Sequence, residues 1–376
     1  MELREYVLGD ICDRLSSGKG IPAKEVHDEG EFPVYGGNGL RGYTDHKNFE
    51  GDCGIIGRQG AFCGNVRYFS GEAYMTEHAV VVQAAEGFNT HYLTYLLSTM
   101  NLGRLSGQSA QPGLSVKTLA KQIVKIPDYE TQCKVSAILR IIDNKIGINE
   151  CINKNLAAQI ETLLLSFLDS EDSSPVKLGD YLYIKGRIGW KGLKKSEYLP
   201  QSEYRIINGE TLTQSGIDWN KAGYISEERY VESPEIMLKV GDILLSKDGT
   251  IGKIGYVDSL ELPTSVASGI FVIRNTKPDI ISTTFIYYLL KSRLFSSFIA
   301  ARTEGSVIPH LYQKDFMEFE FPLPKPDKMA EFEEITEPMF SQIVSNLNEN
   351  KRLMSLRDSL LPKLMSGELD VSELDI

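Results

Sequence analysis

The sequence predicts an α+β fold: a tandem duplication of a globular domain of short twisted strands and helices, each copy followed by a long helix. The two long helices are expected to pair as an antiparallel coiled coil. Three observations lead there. Two runs, Asp128 to Asp169 and Asp327 to Gly367, carry apolar residues at three- and four-residue steps, the helical period. Short phrases from the first third of the chain recur in the same order later on. A polar break, Asp169 to Pro175, separates the two copies.

The stripe of the first run includes Val135, Ile138, Ile142, Ile146, Ile152, Leu156, Ile160 and Leu163. That of the second includes Phe332, Ile335, Met339, Ile343, Leu347, Met354, Leu361 and Leu364. Helices of this length would span roughly 60 Å at a rise of about 1.5 Å per residue, which is long for a globular helix and suits a rod. A narrow apolar seam has to be buried, and the other rod is the natural partner. Asn149, Asn153 and Asn350 are polar positions near mid-seam, suited to fixing register. The alternative is two separate amphipathic helices, each packed on its own domain, since neither run keeps a strict heptad.

At 376 residues the chain exceeds one typical core, so two domains are expected. Apolar content of 42% and charged content of 24% are those of a soluble globular protein. No stretch approaches about 18 consecutive apolar residues, and the start does not read as a signal peptide, so a cytoplasmic protein with no membrane partner is expected. Cys12, Cys53, Cys63, Cys133 and Cys151 lack C-x-x-C spacing, which argues against a disulfide framework or a structural zinc. A net charge of −11 taken as a sum disfavours nucleic acid, but its location matters more. Residues 128–172 and 327–376 carry −10 of it, so the globular parts are nearly neutral and free to present basic surfaces.

From Met1 to Pro127 short strands alternate with glycine-rich turns, notably Gly36-Gly37-Asn38-Gly39 and Gly51 to Gly60. Ala79 to Val82 reads as a strand and Tyr92 to Met100 as a helix. The Gly36–Gly39 cluster lacks the order of a phosphate loop and opens no helix, as does Gly18-Lys19-Gly20. After the break the pattern restarts. Leu8-Gly9-Asp10 returns as Leu178-Gly179-Asp180, and Arg58-Gln59-Gly60 with Gly64 as Lys247-Asp248-Gly249 with Gly252. Tyr95-Leu96-Leu97 returns as Tyr288-Leu289-Leu290, and Pro112-Gly113-Leu114 as Pro309-His310-Leu311. Between these anchors the copies differ, as expected of one job done twice on two targets.

No nucleophile elbow, zinc-binding H-E-x-x-H, dinucleotide fingerprint or amino-methyltransferase run is present, and no cofactor or metal is expected in this chain. Instead, basic and amide side chains mix with aromatics in the glycine-rich loops. In the first copy these are Lys19, Arg41, Tyr43, Arg58, Gln59, Arg67, Gln108 and Gln111. In the second they are Lys185, Arg187, Trp190, Lys191, Lys194, Lys195, Lys247, Arg302 and His310. Arginine and lysine suit guanine edges and phosphates, and glutamine suits adenine, so as a set they point to DNA. Lys191, Lys194 and Lys195 read as phosphate contacts, and Arg187 beside Trp190 as a base reader. A modifying enzyme with an unrecognised site, or a coiled-coil scaffold for proteins, are the other readings left open.

Several longer stretches carry a family likeness. They are Phe32 to Gly39, Thr76-Glu77-His78-Ala79-Val80-Val81, Gly186 to Gly192, Gly241-Asp242-Ile243-Leu244, Asp248 to Lys253, and the ending Leu356 to Leu369. Together they resemble the DNA-specificity subunits of type I restriction-modification systems, over nearly the whole chain. The resemblance implies two target-recognition domains, residues 1–127 and 173–326, each reading one half of a bipartite, asymmetric site in double-stranded DNA. It implies helical spacers at 128–172, which includes the linker, and at 327–376. Two methyltransferase subunits would dock on the spacers and supply S-adenosylmethionine chemistry, and restriction subunits can join them. Gln159 to Leu168 is a degenerate echo of the second run's ending, so the two docking surfaces are expected to be unequal.

Overall fold

Ala79, Val80, Val81 and Val82 form an unbroken apolar run, which suits a strand covered on both faces. The strand Ala79–Ala84 is indeed interior, and its side chains alternate between two clusters. Val80 and Val82 face Ile56, Tyr92, Leu93 and Leu97, whereas Ala79 and Val81 face Phe49, Cys53, Ile55 and Met75. The helix Thr90–Thr99 thus roofs one side, opened by Asn89, whose side chain accepts from Tyr92 N at 2.9 Å.

The computed structural model describes residues 2–106, 113–169, 173–188, 192–214, 216–303 and 310–374. The chain divides into two units, Met1–Ile148 with Asn350–Ile376, and Asn149–Glu349. Among the described residues the first unit holds a six-stranded sheet. Its order is Cys12–Ser17, Ala79–Ala84, Phe49–Gly57, Val66–Met75, Phe32–Gly36, Gly39–Thr44. All neighbours are antiparallel except Phe32–Gly36 against Val66–Met75. A separate pair, Arg4–Val7 with Ile123–Ile126, leads into the long helix Tyr129–Leu168.

The second unit repeats this plan with shorter strands. Its four-stranded sheet runs Leu182–Gly186, Ile270–Asn275, Ile243–Ser246, Ile254–Tyr256, and Ser174–Lys177 pairs with Glu320–Leu323 just before the helix Pro326–Ser366. Ile270 and Val272 face one cluster and Phe271 and Ile273 the other, matching the alternation in the first unit. A separate sheet of Gly223–Ile225, Tyr204–Ile207 and Thr264–Val266 repeats, antiparallel then parallel, the pairing of Gly39–Thr44, Phe32–Gly36 and Val66–Met75, which the first unit joins to its main sheet. Both Leu-Gly-Asp phrases form the same turn. Leu8 N donates to Gln122 O and Leu178 N to Phe319 O, each at 2.8 Å, and a Cβ on Gly9 or Gly179 would meet Ala120 at 3.2 Å or Met317 at 2.7 Å. Glycine is required there by close approach.

Each unit also contains its own antiparallel helix pairing. In the first, Asn350 Nδ2 donates to Ile146 O at 3.4 Å, Arg357 Nη1 to Asp143 Oδ1 at 3.0 Å and Lys134 Nζ to Ser372 O at 2.7 Å. In the second, Asn149 Nδ2 donates to Glu349 Oε2 at 2.7 Å and Asn346 Nδ2 to Asn153 Oδ1 at 2.8 Å. Of the expected polar positions, Asn149 and Asn350 are buried, and the half-buried Asn153 accepts from buried Asn346, which the sequence reading did not single out. The first helix starts at the side chain of Asp128, which accepts from Thr131 N at 3.0 Å. The second ends at Gly367 with φ +78°, a left-handed stop.

The stripe itself needs correction. Val135, Ile142, Ile146, Ile160, Phe332, Ile343 and Leu364 are buried, but Ile152, Ile335, Leu347 and Met354 are exposed, together with Ile141, Ile148, Leu165 and Leu356. The helices carry apolar residues on more than the seam, because a period near 3.6 drifts relative to a straight pairing line. The linker is shorter than the polar break suggested. Ser174 and Pro175 belong to a strand, and Ser170, Glu171 and Asp172 lie outside the described residues. No helix among the described residues is long and apolar enough to cross a membrane.

Candidate nucleic-acid interface

In the first unit the tight hairpin between Phe32–Gly36 and Gly39–Thr44 is glycine-rich because arginines and backbone crowd it. A Cβ on Gly36 would come within 2.7 Å of Arg41 Cδ, one on Gly39 within 2.7 Å of Arg67 Nη1, and one on Gly37 within 2.9 Å of His78 O. Gly39 also has φ +103°, which an L side chain resists. Arg58 approaches from the neighbouring strand end, with its N donating to His78 O at 2.9 Å and its guanidinium 3.5 Å from Ser17 Oγ. Lys19 N donates to Met75 O on the same loop. Lys19, Arg41, Arg58, Gln59 and Arg67 are therefore gathered around one loop cluster, and all but the half-buried Arg58 are exposed. Tyr43 lies along the hairpin, paired through its backbone with His27.

Glu77 and His78, absent from the expected site, sit within this cluster and contact each other at 3.2 Å. Their signal was the Thr76-Glu77-His78 phrase, whose loop is knit by Thr76 N to Tyr35 O and Ala79 N to Thr76 O. Burial, then Tyr43, pushes the Tyr35 phenol above its usual range, against the opposing pull of Arg67.

The second unit builds the corresponding frame from different side chains. Lys247 N donates to Gly269 O at 2.9 Å and Leu311 N to Lys247 O at 3.0 Å. The first unit matches this with Arg58 N to His78 O and Leu114 N to Arg58 O at 2.8 Å. Asp248 bridges His310 where Gln59 bridges Gly113. Lys247 Nζ rests 5.0 Å from the Phe271 ring centre and Arg302 stacks 3.8 Å over Phe298. Lys185, Lys194 and Lys195 are exposed, and Lys194 and Lys195 open a short 3-10 turn, Lys195–Glu197.

Arg187 departs from expectation. It is 2% exposed, and its guanidinium donates to Val266 O at 3.1 Å, Ser265 Oγ at 3.3 Å and Ser233 Oγ at 3.4 Å. Such a side chain braces the loop from inside and does not reach a base edge. Burial, then neighbouring Arg229, lowers its pKa, yet guanidinium stays charged. Gln108, Gln111, Trp190 and Lys191 lie outside the described residues.

A cleft lies elsewhere in the first unit. It measures about 1060 Å³ and is lined on one side by Asp52, Tyr68 and His91, and on the other by the helix residues Arg140, Asp143 and Arg357. His91 stacks on Tyr68 at 3.4 Å between ring centres and on Tyr95 at 5.6 Å. Burial and then Arg140 pull its pKa down to about 4, so the ring is neutral at pH 7. Its mixed charge, with Asp52, Asp143 and Asp358 beside two arginines, suits a protein contact better than a phosphate backbone.

Residues 2–158 and 170–351 match the family described as the type I restriction modification DNA specificity domain. The chain is 40% identical over 147 residues to the EcoprrI type I restriction enzyme specificity subunit of Escherichia coli, covering 38% of this chain and 36% of that relative. It is 24% identical over 313 residues to the MjaIX specificity subunit of Methanocaldococcus jannaschii, covering 77% of this chain and 71% of the relative. Its fold is similar to the crystal structure of a type I restriction-modification S subunit from M. genitalium, with TM-score 0.64, 18% identity, and 97% and 96% of the two chains covered.

Proposed function

Because the chain belongs to the type I restriction-modification DNA-specificity family, a family of non-catalytic specificity subunits, we propose that it reads a bipartite, asymmetric site in double-stranded DNA with one reader per half-site. The readers are residues 1–127 and 173–326, with 128–172 and 327–376 serving as helical spacers. The observation that carries this is the frame built twice with unlike side chains, around Arg58-Gln59 and around Lys247-Asp248. One scaffold with two chemistries suits two different base sequences.

The chain works within a complex with other subunits. Two methyltransferase subunits, holding S-adenosylmethionine, dock on the helices, and restriction subunits join through them. The exposed Ile141, Ile148, Met354 and Leu356 of the first unit, and Ile152, Leu165, Ile335 and Leu347 of the second, support one docking surface in each unit. The cleft beside Arg140 and Arg357 adds a polar socket to the first surface, which supports a reading of two unequal surfaces.

Lys19, Arg41, Arg67, Lys185, Lys194, Lys195 and Arg302 act as phosphate and base contacts, with Tyr43, Gln108, Gln111, Trp190 and Lys191 as further DNA-facing positions. Arg187 is withdrawn from this set to a bracing role. The test is methylation mapping of the chain co-expressed with its methyltransferase, beside a gel shift against random duplexes. Methylated adenines falling in a single split motif support the proposal. Sequence-independent binding, or methyl transfer by the chain without partner, would overturn it.

A further inference from the structure

The repeated frame allows positions in the two units to be equated by hydrogen bonding, independently of sequence similarity. In each unit a strand-end residue, Arg58 or Lys247, gives its N–H to one loop and its carbonyl to another. The next residue, Gln59 or Asp248, forms an isolated bridge to the segment that also carries Leu114 or Leu311. A left-handed glycine follows in both, Gly60 at φ +77° and Gly249 at φ +66°, and a Cβ on either would meet nothing within 4 Å. These glycines are needed for the direction of the chain, since nothing crowds them. The turn therefore holds residues 59 and 248 at equivalent places, and both are exposed.

What differs is chemistry. Gln59 carries an amide that donates and accepts, and its bridge partner is Gly113, which has no side chain. Asp248 is an acceptor only, and His310 Nδ1 is bonded to its Oδ1, so His310 supplies the proton in that bond. The ring is steadied by an edge contact with Tyr312 at 4.5 Å between centres. A structural role explains this pair poorly. The two side chains are 42% and 32% exposed, a setting in which ion pairs contribute little to stability. The bond does fix the direction of the carboxylate and leaves Oδ2 able to accept from a ligand.

Resting on the DNA-reading function above, we propose that Gln59 and Asp248 are equivalent specificity-determining residues, with His310 positioning Asp248. Gln59 matches adenine, which offers an acceptor at N7 and a donor at N6. Asp248 selects a base that presents an exocyclic amino donor in the major groove, cytosine N4 or adenine N6, and rejects guanine and thymine, which offer it only acceptors. Two unlike side chains in one frame thus place different donor and acceptor requirements on corresponding positions of the two half-sites.

The test uses the full chain assembled with its methyltransferase subunits and maps methylation over a randomised duplex library. Asp248→Asn keeps shape and removes the acceptor-only character. Discrimination at one position of one half-site should fall by about tenfold or more, with the other half-site unchanged. Gln59→Glu should alter one position of the opposite half-site. His310→Ala should affect the same position as Asp248→Asn, by a smaller factor, and His310→Gln, which can still donate, should restore part of it. Hydrogen exchange of the strand Ile243–Ser246, and of Phe49–Gly57 for Gln59→Glu, checks that each variant is folded. The proposal is overturned if folded D248N keeps the parent motif at every position, if it weakens all sequences alike, or if D248N and Q59E change the same half-site. A parent complex that methylates without sequence preference would instead refute the DNA-reading function on which the proposal rests.

Discussion

Replacing Arg187 by alanine separates the two roles a loop arginine can have. In the structure its guanidinium makes three hydrogen bonds, to Val266 O, Ser265 Oγ and Ser233 Oγ, and both serines are fully buried. Hydrogen bonds to a charged group contribute roughly 1.5–3 kcal/mol each, and a buried acceptor left without a partner costs about 1–3 kcal/mol. Against this stands the desolvation of the guanidinium, several kcal/mol, which alanine relieves. The balance is a loss of about 2–4 kcal/mol, felt in the second unit. Lysine keeps the charge but satisfies fewer of the three acceptors, so Arg187→Lys should recover only part of the loss. Because a chain of two units need not unfold in one step, the assay is hydrogen exchange read peptide by peptide. Protection should fall in Tyr204–Ile207 and Thr264–Val266, with the first unit's Phe49–Gly57 as internal control. Unchanged protection, together with altered preference at a single base position, would refute the bracing role and restore Arg187 as a reader.

Gly39→Ala should cost roughly 1–3 kcal/mol from its positive φ and displace Arg67, weakening selection in one half-site; a thermal melt and methylation mapping would show both. Asn346→Leu removes the bonds to Asn153 and Gln342, and should destabilise the second unit by about 1–3 kcal/mol, while Asn153→Leu added to it should regain part; a double-mutant cycle with coupling below roughly 0.5 kcal/mol would count against a shared network. His91 should make the first unit acid-sensitive. Its folded pKa, about 4, lies below the ordinary 6.5, so the unfolded chain binds more protons in between and stability is lost as pH falls from about 6.5 towards 4. His91→Gln should flatten that part of a plot of urea midpoint against pH, and an unchanged slope would place the effect elsewhere. Alanine at Lys194 or Lys195 should weaken all sequences alike and reduce the salt slope of DNA binding by about 0.9 per true phosphate contact.

The sequence by itself determined the repeated architecture, because strands, helices and turns leave local periodic marks. The helical runs extend from Tyr129 to Leu168 and from Pro326 to Ser366, within two residues of their expected ends. The duplicated phrases mark the same hydrogen-bonded turns in both units, and Asn149, Asn153 and Asn350 lie where their polarity in an apolar stripe placed them. The tertiary structure alone decided which way side chains point. Nothing local distinguishes Arg187 from Lys185 two residues earlier, yet one is enclosed by Ser233, Ser265 and Val266 and the other is exposed. Ile152, Leu347 and Met354 fit the helical stripe but face outward, because periodicity gives an angle around the helix and not what lies opposite it. Asp248 and His310 are 62 residues apart, and Arg41, Arg58 and Arg67 converge through three different strands. Such groupings depend on sheet order and on long-range backbone bonds, which are set by packing of the whole unit and leave no mark in any single stretch of chain.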